Sequence, residues 1–187
     1  MKSVLINAHK PARIASLWPA LILAVLSTVG GAQAFAQGLE GYAAPDFAMP
    51  DQNGVVRHLD SFKGHWLVLY FYPKDRTPGC TTEAKNFTRD YAQFKQLNAE
   101  VVGVSLDDVA SHKDFAEVTG APFLLLSDTD KKAAKMYDVL FDMGPIELTK
   151  RQTFVINPDG LVVKHYRDVS AGEHSAQLLQ DLRGLQK

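Results

Sequence analysis

The chain has 187 residues, of which 46% are hydrophobic and 22% charged, and its formal net charge is −1 at pH 7. This length and composition suit one globular domain whose core is large enough to fold without disulfide bonds. The near-zero net charge, without basic runs interleaved with aromatic residues, gives no indication of a nucleic-acid or membrane-surface role. Function must therefore be sought in local motifs.

The first 36 residues have the pattern of a secretory signal peptide. Three cationic residues are followed by an apolar stretch over residues 17–29 and then by small residues. Two cleavage positions fit, after Ala34 or after Ala36, and the second is favoured. An uncleaved membrane anchor is the alternative, but the apolar stretch is shorter than the ~20 residues that span a bilayer. We therefore expect a signal peptide at 1–36 and an exported domain at 37–187, periplasmic in a Gram-negative bacterium.

The exported part alternates between extended and helical patterns. The apolar, aromatic-rich run at 65–72 is typical of a buried central strand, which Pro73 ends. Along residues 81–98, apolar side chains recur at steps of three and four, which predicts a helix. Further strands are predicted at 101–106, 123–126, 153–156 and 161–166, and further helices at 111–119, 129–138 and 175–185. Alternating strands and helices with a closing hairpin indicate a three-layer α/β domain.

Cys80 is the only cysteine of the chain, so no intramolecular disulfide can form. It follows a Pro/Gly loop and opens a helix, where unpaired N–H groups and the helix dipole favour the nucleophilic thiolate. A reactive thiolate needs about 3.4 kcal/mol of preference for the anion. A helix end supplies only ~0.3–1 kcal/mol, so a second group is required. Arg76, Arg151 or the hydroxyl group of Thr77 could supply the difference.

Each of these residues also has a less specific interpretation. Cys80 could be an inert core residue, although its neighbours Pro78 and Gly79 shape backbone and do not fill a core. Arg76 could be a solvated loop charge, and Glu83 could complement the helix dipole without touching a substrate. The histidines lack metal-ligand spacing, and no phosphate loop is present, so we expect neither a metal nor a cofactor.

The segment 71–83 resembles the active-site segment of peroxiredoxins. The likeness is strongest to the bacterioferritin-comigratory (Q-type) subgroup of the alkyl hydroperoxide reductase/thiol-specific antioxidant family. It is carried by Tyr-Pro at 72–73, by Thr-Pro-Gly-Cys-Thr-Thr-Glu at 77–83, and by the Pro-x-x-x-Thr-x-x-Cys spacing. The segments at 44–47 and 151–156 also resemble this family, so the resemblance covers nearly all of residues 37–187.

This resemblance implies a thioredoxin-like fold with a central mixed sheet and a thiol-dependent peroxidase. The expected substrates are hydrogen peroxide and organic hydroperoxides, reduced through a cysteine sulfenic acid. Cys80 would be the peroxidatic cysteine, and Thr77 would donate a hydrogen bond at the peroxide site. Pro73 would shield the pocket from water, and Arg151 would hold the thiolate and the substrate from a distant strand.

The sequence departs from many Q-type members at one position. Their second, resolving cysteine stands five residues after the first, where this chain has Lys85. An external thiol must therefore complete turnover: a thioredoxin-like protein, a glutaredoxin-like protein or a low-molecular-weight thiol. We also expect easier over-oxidation to sulfinic acid, and a monomer or weak homodimer.

Two other functions compete with peroxidase activity. A thiol–disulfide oxidoreductase requires Cys-x-x-Cys, but here the second position is Glu83. A non-enzymatic redox sensor would use Cys80 to form mixed disulfides without turnover. Consumption of a hydroperoxide with dithiothreitol as reductant distinguishes an enzyme from a sensor.

Overall fold

The computed structural model describes residues 38–187, so the predicted signal peptide and both cleavage positions lie outside the described residues. The strands are β1 (Ala48–Pro50), β2 (Val56–His58), β3 (Trp66–Phe71), β4 (Ala99–Ser105), β5 (Leu124–Ser127), β6 (Leu140–Asp142), β7 (Glu147–Thr149), β8 (Gln152–Ile156) and β9 (Val162–Tyr166). The α-helices are α1 (Pro78–Gln96), α2 (Val109–Thr119), α3 (Lys132–Met136) and α4 (His174–Leu185), and a 3-10 turn spans Leu59–Phe62. Within this range, no helix is both long enough and apolar enough to cross a membrane.

Five strands form the central sheet in the order β5-β4-β3-β8-β9. β3 pairs in parallel with β4, and β4 with β5, whereas β8 is antiparallel to both β3 and β9. The parallel β3–β4 pair needs a long crossover connection, which α1 supplies. β3 lies in the middle and is covered on both faces, which explains its unbroken apolar run. The predicted α/β fold with a central mixed sheet is confirmed.

Alternate residues of β3 divide the core into two halves. Leu69 and Phe71 contribute to one buried cluster, together with residues of α3. Tyr70 and Tyr72 contribute to the other, together with residues of α1, α2 and α4 and with Cys80. Helices therefore cover both faces of the sheet, which gives three layers.

The small elements differ from the sequence prediction. The hairpin β1–β2 closes around the Asp-Gln-Asn-Gly segment at 51–54, which the sequence marks as a turn between short extended segments. The hairpin β6–β7 was not predicted. Its three-residue strands are too short to produce a recognisable alternation of polar and apolar residues. Helix α1 begins earlier than predicted, with Pro78 at its first position, where a missing N–H group has no cost. Helix α3 begins later, and the Asp128 carboxylate accepts hydrogen bonds from two N–H groups of its first turn.

Candidate active site

Cys80 is the third residue of α1, and only 1% of its surface is exposed. The N–H groups of a first helical turn have no acceptor within the helix, and they carry the positive end of the helix dipole. No acidic side chain occurs in this turn to offset that charge. The sulfur thus lies where the backbone attracts negative charge, and it is sheltered from water.

Arg151 brings a cation to this sulfur from a distant part of the chain. It stands between β7 and β8, directly before Gln152, which pairs with Phe71 at the end of β3. This register places Arg151 at the beginning of the active-site loop, residues 72–77, which joins β3 to α1. Its Nη2 donates a hydrogen bond to Cys80 Sγ at 3.2 Å. The sequence-predicted cysteine and arginine are therefore in direct contact.

The same guanidinium binds a buried carboxyl group. Arg151 Nη1 donates to a carboxylate oxygen of Glu83, which is 1% exposed. The other oxygen, Oε1, has no hydrogen-bond partner among the described residues. Burial outweighs the attraction of Arg151 and raises the pKa of Glu83 to about 7. For Arg151, burial is in turn outweighed by the charges of Glu83 and Cys80, so its pKa lies above the ordinary value.

Glu83 is a site residue that the sequence interpretation missed. That interpretation assigned its charge to the helix dipole, whereas the structure places the carboxyl group against Arg151. The available signal was the spacing of three residues from Cys80, which puts both side chains on the same face of α1. The guanidinium that bridges them comes from another strand, and no local pattern indicates it.

Thr77 and Pro73 lie in the loop that leads to Cys80. The Thr77 hydroxyl donates to the Lys74 carbonyl oxygen at 3.0 Å and does not cap the helix. In this rotamer the hydroxyl can accept a hydrogen bond from a ligand, and it can donate one only after rotating. Pro73 is half-buried at the start of the loop. Their roles at a peroxide stay predictions.

Two other cations near Cys80 in sequence belong to the surface. Arg76 pairs with Asp114 of α2 at 3.0 Å, and the two side chains are 56% and 62% exposed. Lys85, at the position of the missing resolving cysteine, is also exposed. Of the two arginines considered from sequence, Arg151 is therefore the one that contacts the sulfur.

Close packing leaves little space around these groups. A Cβ atom added to Gly79 would lie 3.2 Å from Arg151 Nη2, so glycine at this position allows the guanidinium to approach the helix. In the buried cluster that contains Cys80, the Tyr70 ring packs against Tyr72 and Phe87 with centroid distances of 5.4 and 4.7 Å. A buried thiol held by a guanidinium at a helix start defines a site for cysteine redox chemistry on a thioredoxin-like sheet.

The AhpC/TSA family model matches residues 41–165. The chain therefore belongs to the AhpC/TSA family. Peroxiredoxin Bcp of Bacillus subtilis (strain 168) is 40% identical over 149 residues, which are 78% of this chain and 95% of that protein. The chloroplastic peroxiredoxin Q of Populus jackii is 43% identical over 152 residues, which are 81% of this chain and 71% of that protein.

Solved structures give the same assignment. The crystal structure of peroxidoxin BcpB from Mycobacterium tuberculosis superposes with a TM-score of 0.75 and 34% identity, over 80% of this chain and 99% of that chain. A Xanthomonas campestris bacterioferritin comigratory protein, described in relation to alkyl peroxide reduction, gives a TM-score of 0.71 and 36% identity, over 75% of this chain and 92% of that chain. The protein is thus a thiol-dependent peroxidase of the Bcp/Q type, and the predicted class of enzyme is confirmed.

Proposed function

We propose that Cys80 reduces hydrogen peroxide and organic hydroperoxides, with Arg151 stabilising both the sulfur and the reacting oxygens. The observation that carries this proposal is the 3.2 Å contact between Arg151 Nη2 and the buried Cys80 Sγ. A guanidinium is always charged and presents several N–H donors in a fixed plane. It can therefore keep one hydrogen bond to sulfur while a second donor faces an incoming oxygen.

In the proposed reaction, the Cys80 thiolate attacks the hydroxyl oxygen of ROOH. The S–O bond forms as the O–O bond breaks, and the alkoxide that leaves takes up a proton to give ROH. Sulfur is oxidised to the sulfenic acid, and the peroxide is reduced. Negative charge moves from sulfur to the departing oxygen, so donors spread along that path stabilise the transition state more than the ground state. Arg151 is assigned to this task together with the Thr77 hydroxyl, which donates to the peroxide after rotating away from the Lys74 carbonyl oxygen, and Pro73 limits access of water.

Reduction of the sulfenic acid requires a thiol from outside the chain. A first external thiol forms a mixed disulfide with Cys80 and releases water, and a second thiol then releases the reduced enzyme. A thioredoxin-like protein, a glutaredoxin-like protein or a low-molecular-weight thiol can fill this role. Because no second cysteine is needed from a partner chain, we propose that a monomer or weak homodimer is active.

The test compares the wild type with Cys80→Ser. Each protein is mixed with hydrogen peroxide or an organic hydroperoxide, with dithiothreitol as reductant, and loss of peroxide is followed over many turnovers. Fast consumption by the wild type that disappears in Cys80→Ser supports the proposal. Stoichiometric disulfide formation without turnover would instead assign the protein as a redox sensor.

We also propose that the protein is exported, on the strength of the signal-like segment at 1–36. Expression of the full chain in a Gram-negative host tests this directly. Recovery from the periplasm with a new N-terminus at Gln37, or at Phe35 for the other cleavage position, supports export. An intact chain retained in the membrane fraction supports the anchor alternative, and an intact cytoplasmic chain contradicts both.

A further inference from the structure

A cavity of about 160 Å³ lies on the face of the central sheet opposite to Cys80. Tyr137, which belongs to the buried cluster on that face, forms part of its floor. Lys150 and Gln152 also line the cavity. These two residues flank Arg151 in the chain, whose side chain contacts the sulfur on the other face. The cavity can hold more than one water molecule, and the peroxidase chemistry assigned above uses none of the side chains that line it.

Two cations and one acid that line this cavity have no ionic partner in the described part of the chain. Lys150, Arg167 and Asp138 form no ion pair with any residue in the range 38–187. The Lys150 ammonium group donates to the backbone carbonyl oxygen of Asp138 at 3.4 Å, and not to the carboxylate. Glu40, another acid of this region, accepts a hydrogen bond from the N–H group of His165 at 2.6 Å and does not line the cavity. The three charged side chains therefore leave one positive charge in excess.

The charges of Arg167 and Asp138 both act on the ring of His165. Burial is the main reason that the pKa of His165 falls to about 4, Arg167 lowers it further, and Asp138 opposes this effect. Both charged groups are therefore close to one neutral ring, yet they do not pair with each other. Arg167 packs against Gly38, where an added Cβ atom would collide with Nη2. The cation and the acid thus face the cavity from separate positions.

Gln152 adds an uncharged donor to the cavity. Its Oε1 lies 2.9 Å from His165 Nε2, and a neutral imidazole with its hydrogen on Nε2 donates to this oxygen. Among the hydrogen bonds within residues 38–187, this oxygen is the only side-chain atom of Gln152 that takes part. The two N–H donors of the amide are therefore available to a ligand. The cavity wall offers nitrogen donors of three kinds: a guanidinium, an ammonium and an amide.

These polar groups together favour an anion that still carries a proton. The three nitrogen groups donate hydrogen bonds to a ligand, whereas a carboxylate can only accept one. A matching ligand therefore presents several acceptor oxygens and at least one O–H or N–H donor. Inorganic phosphate does so at neutral pH, where it keeps at least one P–OH group, whereas sulfate, of similar size, has none. A zwitterionic amino acid also combines both kinds of group, but it carries no net charge to balance the excess cation.

We propose that this cavity binds inorganic phosphate. The phosphate oxygens accept hydrogen bonds from Arg167, Lys150 and the Gln152 amide. The P–OH group donates to the Asp138 carboxylate. Charge-assisted hydrogen bonds of this kind are stronger than those between neutral groups, and an arginine matches a phosphate group with two parallel donors. The site is separate from Cys80, so this proposal goes beyond the peroxidase activity and does not depend on it.

The test follows the amide signals of the purified protein by NMR during titration with phosphate and, separately, with sulfate at neutral pH. Ionic strength is held constant, because salt screens exposed charges. Arg167→Gln and Lys150→Gln each remove one cation, and Asp138→Asn removes the acidic charge. Arg183→Gln is the matched control, since Arg183 is exposed on α4 and donates to Gln93, outside the cavity.

We expect phosphate to shift the amide signals of the lining residues and to bind the wild type about tenfold more tightly than sulfate does. Arg167→Gln and Lys150→Gln should each weaken phosphate binding about tenfold, as the loss of a charge-assisted hydrogen bond does. Asp138→Asn should tighten sulfate binding about tenfold, because an amide can donate to an unprotonated oxygen, whereas a carboxylate repels it. Arg183→Gln should leave both affinities unchanged.

Equal wild-type affinity for phosphate and sulfate would overturn recognition of the P–OH group, and tighter binding of glycine than of phosphate would overturn the assignment to an anion. Glycerol phosphate separates free phosphate from a phosphate ester. A monoester loses its P–OH group above a pH of ~6, so it should bind as weakly as sulfate, and binding as tight as that of inorganic phosphate would contradict the choice of ligand. Unshifted lining amides, or phosphate binding that survives both cation substitutions together, would overturn the site itself.

Discussion

Arg151 Nη2 and Cys80 Sγ lie 3.2 Å apart although 71 positions separate them in the sequence. Their contact depends on the antiparallel pairing of β8 with β3, since the register Phe71–Gln152 brings the residue before β8 to the end of β3. A shift of that pairing by one residue would exchange the two faces of β8. The register of the central sheet is thus as important to the site as the loop that carries the cysteine.

Replacing Arg151 with lysine keeps a positive charge but removes the planar pair of donors that joins Glu83 to Cys80. We expect Arg151→Lys to lower the rate of peroxide reduction about 10²-fold, the range found when one preorganised donor is lost. Arg76→Lys is the matched control, because Arg76 pairs with Asp114 at the surface. Stopped-flow oxidation by hydrogen peroxide measures both. A similar loss in the two variants would argue against a specific role for Arg151.

Glu83 should make folding stability depend on pH. Its pKa rises from 4.5 in the exposed state to about 7 in the fold, so protonation favours the folded state. That stabilisation is complete below pH 4.5 and is lost as the pH rises to about 7. Between these two pH values the Glu83 carboxyl group changes the free energy of unfolding by up to about 3 kcal/mol. Glu83→Gln removes this pH-dependent contribution. Urea unfolding of the wild type, Glu83→Gln and the exposed control Glu117→Gln at several pH values measures the difference. Parallel curves for all three proteins would contradict the prediction.

The hydroxyl group of Thr77, and not its methyl group, should matter for peroxide reduction. Thr77→Ser keeps the hydroxyl that contacts the Lys74 carbonyl oxygen, and we expect activity close to that of the wild type. Thr77→Val keeps the shape and removes the hydrogen bond, and we expect a loss of about 10²-fold. Second-order rate constants with hydrogen peroxide check both variants. Comparable activity of the valine variant would remove Thr77 from the mechanism.

Gly103 should be sensitive to the smallest side chain. A Cβ atom there would lie 2.7 Å from the Tyr70 ring and 2.8 Å from Leu125 Cδ2, both in the core. We expect Gly103→Ala to lower the free energy of unfolding by about 1–3 kcal/mol, as overpacking does. In Gly184→Ala, the added Cβ atom meets no atom within 4 Å other than the neighbouring backbone of α4, and it should stabilise the helix by about 0.5–1 kcal/mol. Urea denaturation measures the free energy of unfolding of both variants. Equal changes in the same direction would refute the packing argument.

Lys85 offers a direct test of over-oxidation. Without a resolving cysteine, the Cys80 sulfenic acid remains available to a second peroxide, which gives sulfinic acid. Lys85→Cys should reduce the yield of sulfinic acid, and Lys85→Ser should not.

The helix geometry adds a condition to this prediction. Residues five apart in an α-helix are separated by about 7.5 Å along its axis, too far for a disulfide bond. Protection would thus also require the start of α1 to unwind. Mass spectra of peroxide-treated proteins give the result, and a low sulfinic yield in the wild type would contradict the expectation.

The sequence predicted the elements whose residues form a recognisable pattern within one short segment. The apolar run at 65–72 indicated the central strand, and the Pro/Gly loop before Cys80 indicated a thiol at a helix start. The hairpin β6–β7 was missed because three residues show no periodicity. Glu83 was missed for another reason. Its environment is created by Arg151 from a distant part of the chain, and only the assembled fold places the two residues together.

The presence of a lysine at position 85, and not a second cysteine, determines where the electrons that reduce Cys80 come from. Each electron pair that Cys80 passes to a peroxide must be replaced by thiols from other molecules, because the chain has no second cysteine with which Cys80 could form a disulfide. At steady state, the oxidised fraction therefore follows the ratio between the arrival rates of peroxide and of thiol. Such a molecule reports the redox balance of its surroundings while it consumes peroxide, and it stops where thiols run out.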